Sequence, residues 1–204
     1  MADTIAGADG CREGWVVVSE SPHCAVLTWD VVPSLQHLFA LQSAPSLLAI
    51  DIPIGLTLSG PRACDLEARR LLGKGRASSI FAAPIRPMLT AMSHAEASDL
   101  GFTPQGKRIS IQAWAIVPKI REVDEFLRAT PYAQALVHEV HPEVCFYFMA
   151  GRRPMGVAKK KVVGRGERAT LLRSHFGDAV DSALADCRRL GCTPDDIIDA
   201  FVGL

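Results

Sequence analysis

Two carboxylates three residues apart, Asp196 and Asp199 in the string Asp196-Ile197-Ile198-Asp199, fall on one face of a helix and give it an acidic edge. Asp9 and Asp51 stand where apolar, strand-like runs end, and Glu139 lies inside a third such run. Acids delivered by separate elements are what a divalent-cation site for phosphodiester chemistry requires. Magnesium favours a few carboxylates together with water and substrate phosphate. Two such ions about 4 Å apart would activate a water and stabilise the leaving oxygen of an in-line displacement at phosphorus. Like charges brought side by side raise one another's pKa unless a cation intervenes, and Mg or Mn is the economical answer.

Each acid also has a simpler reading. Asp9-Gly10 is a common turn pair. Asp196 would favour a helix N-terminus through the dipole, whereas Asp199 lies one turn further in and is harder to explain as a cap. Glu139 sits among Val137 and Val140 and suits a solvent-facing strand position as well as a site. Asp51, in Leu47-Leu48-Ala49-Ile50-Asp51-Ile52-Pro53-Ile54, would be costly to bury unpaired, so a site role and strand-end exposure weigh equally for it alone. The acids gain weight from occurring together at element ends.

Bases suited to phosphate fall into two groups. Lys119 and Arg121 lie on a helical stretch, and Arg76 stands beside Gly73 and Gly75. Lys119 is also spaced for an ordinary helix ion pair with Glu122. Gly73-Lys74-Gly75-Arg76 lacks the P-loop spacing. From Arg152 to Arg168 seven bases, among them Lys159, Lys160, Lys161 and Arg165, face one acid, Glu167. Such a block is either a solvated loop or a patch for a nucleic-acid backbone. His141 suits a proton shuttle or a structural position, and Glu143 is a spare acid. Trp15, Trp29 and Trp114 read as core or stacking residues, with core favoured.

Composition narrows the class. The 204 residues suffice for one sizeable core. Acids and bases balance at 22 each, so a nucleic-acid partner cannot be argued from net charge. No apolar run reaches the roughly 18 to 20 residues of a membrane span, and the N-terminus lacks a signal-peptide pattern. The six cysteines are scattered without a C-x-x-C pair, which suits a reducing cytoplasm better than a zinc site or disulfide framework. A homodimer stays open.

The elements that must position these residues follow from periodicity. Thr4 to Ala8, Gly14 to Ser19 and Cys24 to Val32 read as three strands joined by short connections, an antiparallel meander. A helical pattern begins at Pro33-Ser34-Leu35. Ser46 to Ile52 is apolar throughout and reads as a central strand buried on both faces. A helix before it allows a crossover parallel to the first strand. Between Gly55 and about Pro131 no strand is convincing. Arg62 to Gly73 and Ile109 to Ala129 look helical, the latter with Pro118 expected to kink or divide it. Gln134 to Val140 is a fifth strand, 151–166 a loop, and Glu167 to Phe176 and Ala179 to Leu190 are helices. Thr193-Pro194-Asp195-Asp196 carries the signals of a helix start: a capping Thr, Pro at the first position and acid in the first turn. These expectations define one α/β domain with a mixed sheet over residues 1–204, with a helical insertion at about 55–131.

Several strings are specific enough to carry a resemblance. They are Gly7-Ala8-Asp9-Gly10-Cys11-Arg12-Glu13-Gly14-Trp15, Ile50-Asp51-Ile52-Pro53-Ile54-Gly55-Leu56, Arg62-Ala63-Cys64-Asp65, Ser78-Ser79-Ile80-Phe81-Ala82-Ala83-Pro84, Pro118-Lys119-Ile120-Arg121-Glu122-Val123-Asp124, Glu139-Val140-His141-Pro142-Glu143 and Asp196-Ile197-Ile198-Asp199-Ala200. Together they resemble a bacterial family of predicted ribonuclease H-like nucleases, domain-of-unknown-function family 429. The last string also looks like the acidic helix of Holliday-junction resolvases of the same superfold. The resemblance implies a ribonuclease H-like fold, with five strands in the order 3-2-1-4-5 flanked by helices. It implies Asp9, Asp51, Glu139 and one or both of Asp196 and Asp199 as metal ligands; Lys119, by its own chemistry and not by the resemblance, is a further catalytic candidate that would neutralise phosphate oxygens. It also implies more helix beyond the acidic motif than this chain carries before Leu204. The expected activity is divalent-metal-dependent hydrolysis of nucleic acid, DNA or RNA, with Arg76, Arg121, Lys159, Lys160, Lys161 and Arg165 as nucleic-acid contacts. Two alternatives stand beside it: a non-catalytic nucleic-acid-binding or interaction module on the same fold, and an ATP phosphotransferase, for which the chain is short and lacks a duplicated core.

Overall fold

The five strands follow from three kinds of local sequence. Their arrangement is given by a computed structural model that describes residues 4–21, 26–106 and 108–204, and the side chains of all these except 103–105. Ile5–Cys11 (β1) and Gly14–Ser21 (β2) form a hairpin in which Cys11 pairs with Gly14 across the two-residue turn Arg12-Glu13. The β-branched run Val16-Val17-Val18 is buried on both faces, as a central strand requires. Val26–Val32 (β3) is amphipathic with period two: Leu27, Trp29 and Val31 are half-buried, while Val26, Thr28 and Asp30 face solvent. The expected start of this strand at Cys24 lies outside the described residues. A short helix, Leu35–Ala40 (α1), with Ser34 accepting from the His37 N–H at 3.1 Å, leads to Leu47–Ile50 (β4), which runs parallel to β1. Val137–Glu139 (β5) adds to β4, again parallel. The sheet is mixed and five-stranded, in the order β3-β2-β1-β4-β5, as expected.

The chain divides into two compact units: the described residues of Met1–Ile52 with Phe126–Leu204, and Pro53–Glu125. The first holds the sheet. After β5 it continues through Pro142–Met149 (α5), Val162–Phe176 (α6), Ala179–Leu190 (α7) and Pro194–Gly203 (α8). α8 lies on β1, β2 and β4 and is flanked by α5, α6 and α7. Its residues from Ile197 to Val202 are therefore all buried, and Ile197, Ile198 and Phe201 join Val16, Val18, Phe146, Leu172 and Val180 in one apolar core. At about 1.5–3 kcal/mol for each large side chain removed from water, this core fixes α8 against the sheet.

The described part of the second unit is helical. It contains Ala63–Arg76 (α2), a 3-10 turn at Arg86–Thr90, His94–Gln105 (α3) and the start of Ile111–Ala129 (α4), a helix that holds Pro118 in its interior and is not divided by it.

Several expected boundaries shift. β1 does not stop at Ala8, because its ladder with β2 continues through Asp9↔Val16 to Cys11, so Asp9 is a strand residue and not the first residue of a turn. β5 is shorter than Gln134 to Val140, because Pro131–Ala135 forms a 3-10 turn. The segment 151–166 is not all loop, since α6 begins at Val162. The helix accepts Gly164 because Ala158 and Val157 press on it. A Cβ there would stand 2.2 Å from the Ala158 carbonyl oxygen. α3 and α5 were not foreseen. His141-Pro142 stops β5 but also starts α5, with Pro at the first helical position.

Candidate metal centre

Parallel pairing of β1 with β4 puts Asp9 and Asp51 next to one another. Ala8 registers with Ile50, and the Asp51 N–H donates to the Ala8 carbonyl at 3.0 Å. β5 extends the row: Ile50 pairs with Glu139, and the Val140 N–H donates to the Ile50 carbonyl at 2.9 Å. Three strands thus present acids at the same end of the sheet.

The fourth element arrives across the face of β1. Side chains two apart on a strand share a face, so Gly7 and Asp9 point to the same side, toward α8. At Gly7 the helix comes so close that an added Cβ would lie 2.1 Å from the Ala200 carbonyl oxygen and 2.5 Å from the Leu204 nitrogen. Only glycine allows that approach. Gly203 lies against Gly7 and Ala49, and Asp196, Asp199, Ala200 and Gly203 follow the i, i+3, i+4, i+7 spacing of one helical face. Seating Gly203 on the strands therefore carries Asp199 over Asp9. Gly7→Ala is expected to destabilise the protein by about 1–3 kcal/mol, the usual cost of overpacking, lowering Tm by roughly 2–12 °C. A thermal melt checks it, and an unchanged Tm would contradict so close a contact.

Burial and mutual repulsion dominate the electrostatics. Asp199 is 2% exposed, while Asp9 and Asp51 are half-buried. Desolvation, followed by the fields of Asp51, Asp199 and Asp196, holds the Asp9 carboxyl well above the usual carboxylate range. Desolvation, with Asp199 and Glu139, pushes Asp51 up to about 8. Asp199 is raised by burial to about 6, against the opposing charge and hydrogen bond of Lys159. Lys159 donates its ammonium to Asp199 Oδ2. Burial disfavours its charge, but Asp199, Asp51 and Asp9 together outweigh that and raise its pKa. Cys145 lies in the same field: burial, then Asp51, pushes its thiol up to about 11.

The remaining acids have divided roles. Asp196 adds to the negative field at Asp9, but its Oδ2 accepts from the Thr193 N–H at 2.8 Å while its own N–H donates to Thr193 Oγ1, closing a capping box that starts α8. Glu139 is half-buried and acts on Asp51. Glu143, with 5% exposure, accepts from Arg168 through Oε1 at 3.1 and 2.5 Å, and its charge reaches Asp199.

The expected bases are placed as follows. Lys159 belongs with the acids. Lys160 and Lys161 are exposed just before α6, and Arg165 on α6 pairs with Asp195 at 2.7 Å. Arg168, from the same basic block, is fully buried. In the second unit, Lys119 stands 3.9 Å from Glu122. Arg121 donates to the carbonyls of Leu89 and Ala91 at 2.7 and 2.9 Å, holding the 3-10 turn. Arg76 is half-buried at the end of α2, beyond the kink at Gly73, where φ is 63°. Counting bases in the 152–168 block does not separate Lys159 and Arg168, which turn inward, from the solvated lysines beside them. The signal that could have done so is Gly164, whose small size lets the preceding loop fold onto α6.

The donor set is of the chemical kind that a divalent cation takes. The candidate donors are hard carboxylate oxygens from different elements. Asp199 Oδ1 is buried with no hydrogen-bond partner among the described residues, and a buried acceptor left without a partner calls for an ion or a water.

The family model of DUF429, a protein of unknown function, matches residues 7–204, and the chain belongs to that family. No curated protein and no solved structure matches the chain. Among the described residues, no helix is long and apolar enough to cross a membrane.

Proposed function

We propose that this DUF429 chain is a ribonuclease H-like, divalent-metal-dependent nuclease. The observation that carries the reading is the convergence of Asp9, Asp51 and Asp199, from β1, the end of β4 and α8, in one desolvated cluster with an unpartnered buried oxygen. The sheet order 3-2-1-4-5, with acids at neighbouring ends of β1 and β4 and a closing acidic helix, supports the ribonuclease H-like assignment.

Asp9, Asp51 and Asp199 would hold magnesium or manganese, with Glu139 at the edge of the set. When bound, such ions lower the pKa of a water and stabilise the leaving oxygen at phosphorus. The chain's own contribution is positional. The β1–β4 ladder sets the spacing of Asp9 and Asp51, and the seat of Gly203 on Gly7 sets the height of Asp199. Lys160 and Lys161 stand exposed near Lys159 and suit a phosphate backbone, so affinity for nucleic acid should fall steeply with salt.

The test is cleavage of DNA and RNA by the purified protein with magnesium or manganese, with chelator and with Asp9→Asn. Cleavage that needs the metal and Asp9 is the expected result; cleavage indifferent to both would remove the proposal. One observation favours the non-catalytic module: Lys159 already neutralises Asp199. Absence of any metal-induced rise in melting temperature at millimolar manganese would favour that reading, because an ion bound only by the folded state must raise it.

A further inference from the structure

The ion pair between Lys159 and Asp199 unites a fixed partner with a removable one. Asp199 is held in the middle of α8 with its side chain 2% exposed, whereas the Lys159 side chain is 38% exposed. The lysine therefore enters from the rim, with a path back to solvent, and Asp199 has none.

The backbone beneath the lysine is anchored. Arg168 Nη1 donates to the Val157 carbonyl at 3.0 Å and to the Gly164 carbonyl at 2.7 Å, and the Lys161 N–H donates to the Ala158 carbonyl at 2.9 Å. Ala158 rests directly on Gly164. The ammonium can leave Asp199 by side-chain rotation alone, without release of the loop. Its four-carbon stem and single point charge make that rotation easier than for a forked guanidinium.

An ammonium on Asp199 Oδ2 and a divalent ion on the same carboxylate compete for one negative field. Asp199 Oδ1, buried and without a hydrogen-bond partner among the described residues, shows that a single lysine leaves part of that carboxylate unsatisfied. A divalent ion brings twice the charge and takes oxygen ligands at several positions. We propose that Lys159 is a built-in counter-cation of the acidic centre, seated on Asp199 when no metal is bound and displaced into solvent when a divalent ion enters. The inference rests on the metal-binding reading above and adds an exchange step to it.

The exchange is read on the wild-type protein by acylating lysines with an amine-reactive ester and measuring modification at each site by mass spectrometry, with and without manganese. Lys159 is expected to be protected without metal and to gain reactivity several-fold with it, while Lys160 and Lys161 stay constant. Calorimetric titration of manganese into wild type, Lys159→Met and Lys159→Arg supplies the second reading. Removing the competitor in Lys159→Met should tighten binding by about tenfold, equivalent to about 1.4 kcal/mol, and Lys159→Arg should bind no tighter than wild type. Equal affinities in wild type and Lys159→Met, or a Lys159 reactivity unmoved by bound manganese, would overturn the exchange and leave the metal site standing. Weaker binding in Lys159→Met would overturn it too, by making the lysine a helper of the site. No manganese binding by any variant would remove both the exchange and the nuclease reading.

Discussion

Asp51→Asn should abolish metal-dependent cleavage while leaving the metal-free protein folded and, near pH 8, more stable than wild type. The loss of activity should exceed roughly 100-fold, since supporting groups outside the ligand shell already cost 10–100-fold when removed. The gain in stability follows from the sign of the pKa shift. Asp51 titrates at about 8 in the folded protein, against the ordinary 3.8. Between those values the folded state holds a proton that the unfolded state has released. Stability therefore falls as pH rises through that window, the reverse of a salt-bridged carboxylate. Asp199, raised to about 6, adds the same slope over a narrower range. Metal-free wild type should be less stable at pH 8 than at pH 5, and Asp51→Asn should flatten the dependence. Magnesium or manganese should flatten it as well, because the ion favours the ionised carboxylates, and its affinity should rise with pH across the same interval. Urea unfolding at several pH values, with and without metal, measures all of this. A metal-free stability that climbs between pH 5 and 8 would contradict the repulsive cluster.

The sheet was legible because its signals are local. Val16-Val17-Val18, the apolar run into Asp51 and the tight Arg12-Glu13 turn each dictate strand structure within a few residues. The start of α8 was legible for the same reason: Thr193, Pro194 and Asp196 form a cap whose chemistry lies within four residues. The acids could be read because costly charge recurs at the ends of apolar runs. What could not be read depends on contacts distant in the chain. Asp9 is held in a strand by its pairing with Val16, not by its own preference for turns. α5 is a short helix whose buried residues, Glu143 and Phe146, acquire their meaning only from Arg168, more than twenty positions on. Lys159 and Lys160 are adjacent and chemically identical, and only the fold sends one to Asp199 and the other to water.

Arg168→Met should cost about 3–5 kcal/mol, the range for removing one partner of a buried ion pair, and it should unsettle the centre without touching a proposed ligand. The Arg168 side chain is wholly buried, 2.5 Å from Glu143 and stacked 5.5 Å over the Phe146 ring. Methionine fills much of the volume but leaves the Glu143 carboxylate without its cation. Glu143 Oε2 already lacks a hydrogen-bond partner among the described residues, so little remains to offset the loss. The penalty arises from the stranded charge and not from the pair's intrinsic worth, so Arg168→Met with Glu143→Gln should recover a large part of it. A double-mutant cycle by urea unfolding measures that recovery. The double variant should still differ from wild type in one respect. Without Arg168 Nη1, the carbonyls of Val157 and Gly164 lose their shared donor, and the loop that delivers Lys159 is no longer clamped to α6. Hydrogen exchange across 157–161 should then quicken in both variants even where global stability is restored. If exchange instead returned to the wild-type rate in the double variant, the loop would be held by its packing on Gly164, and Arg168 would be only a partner for Glu143.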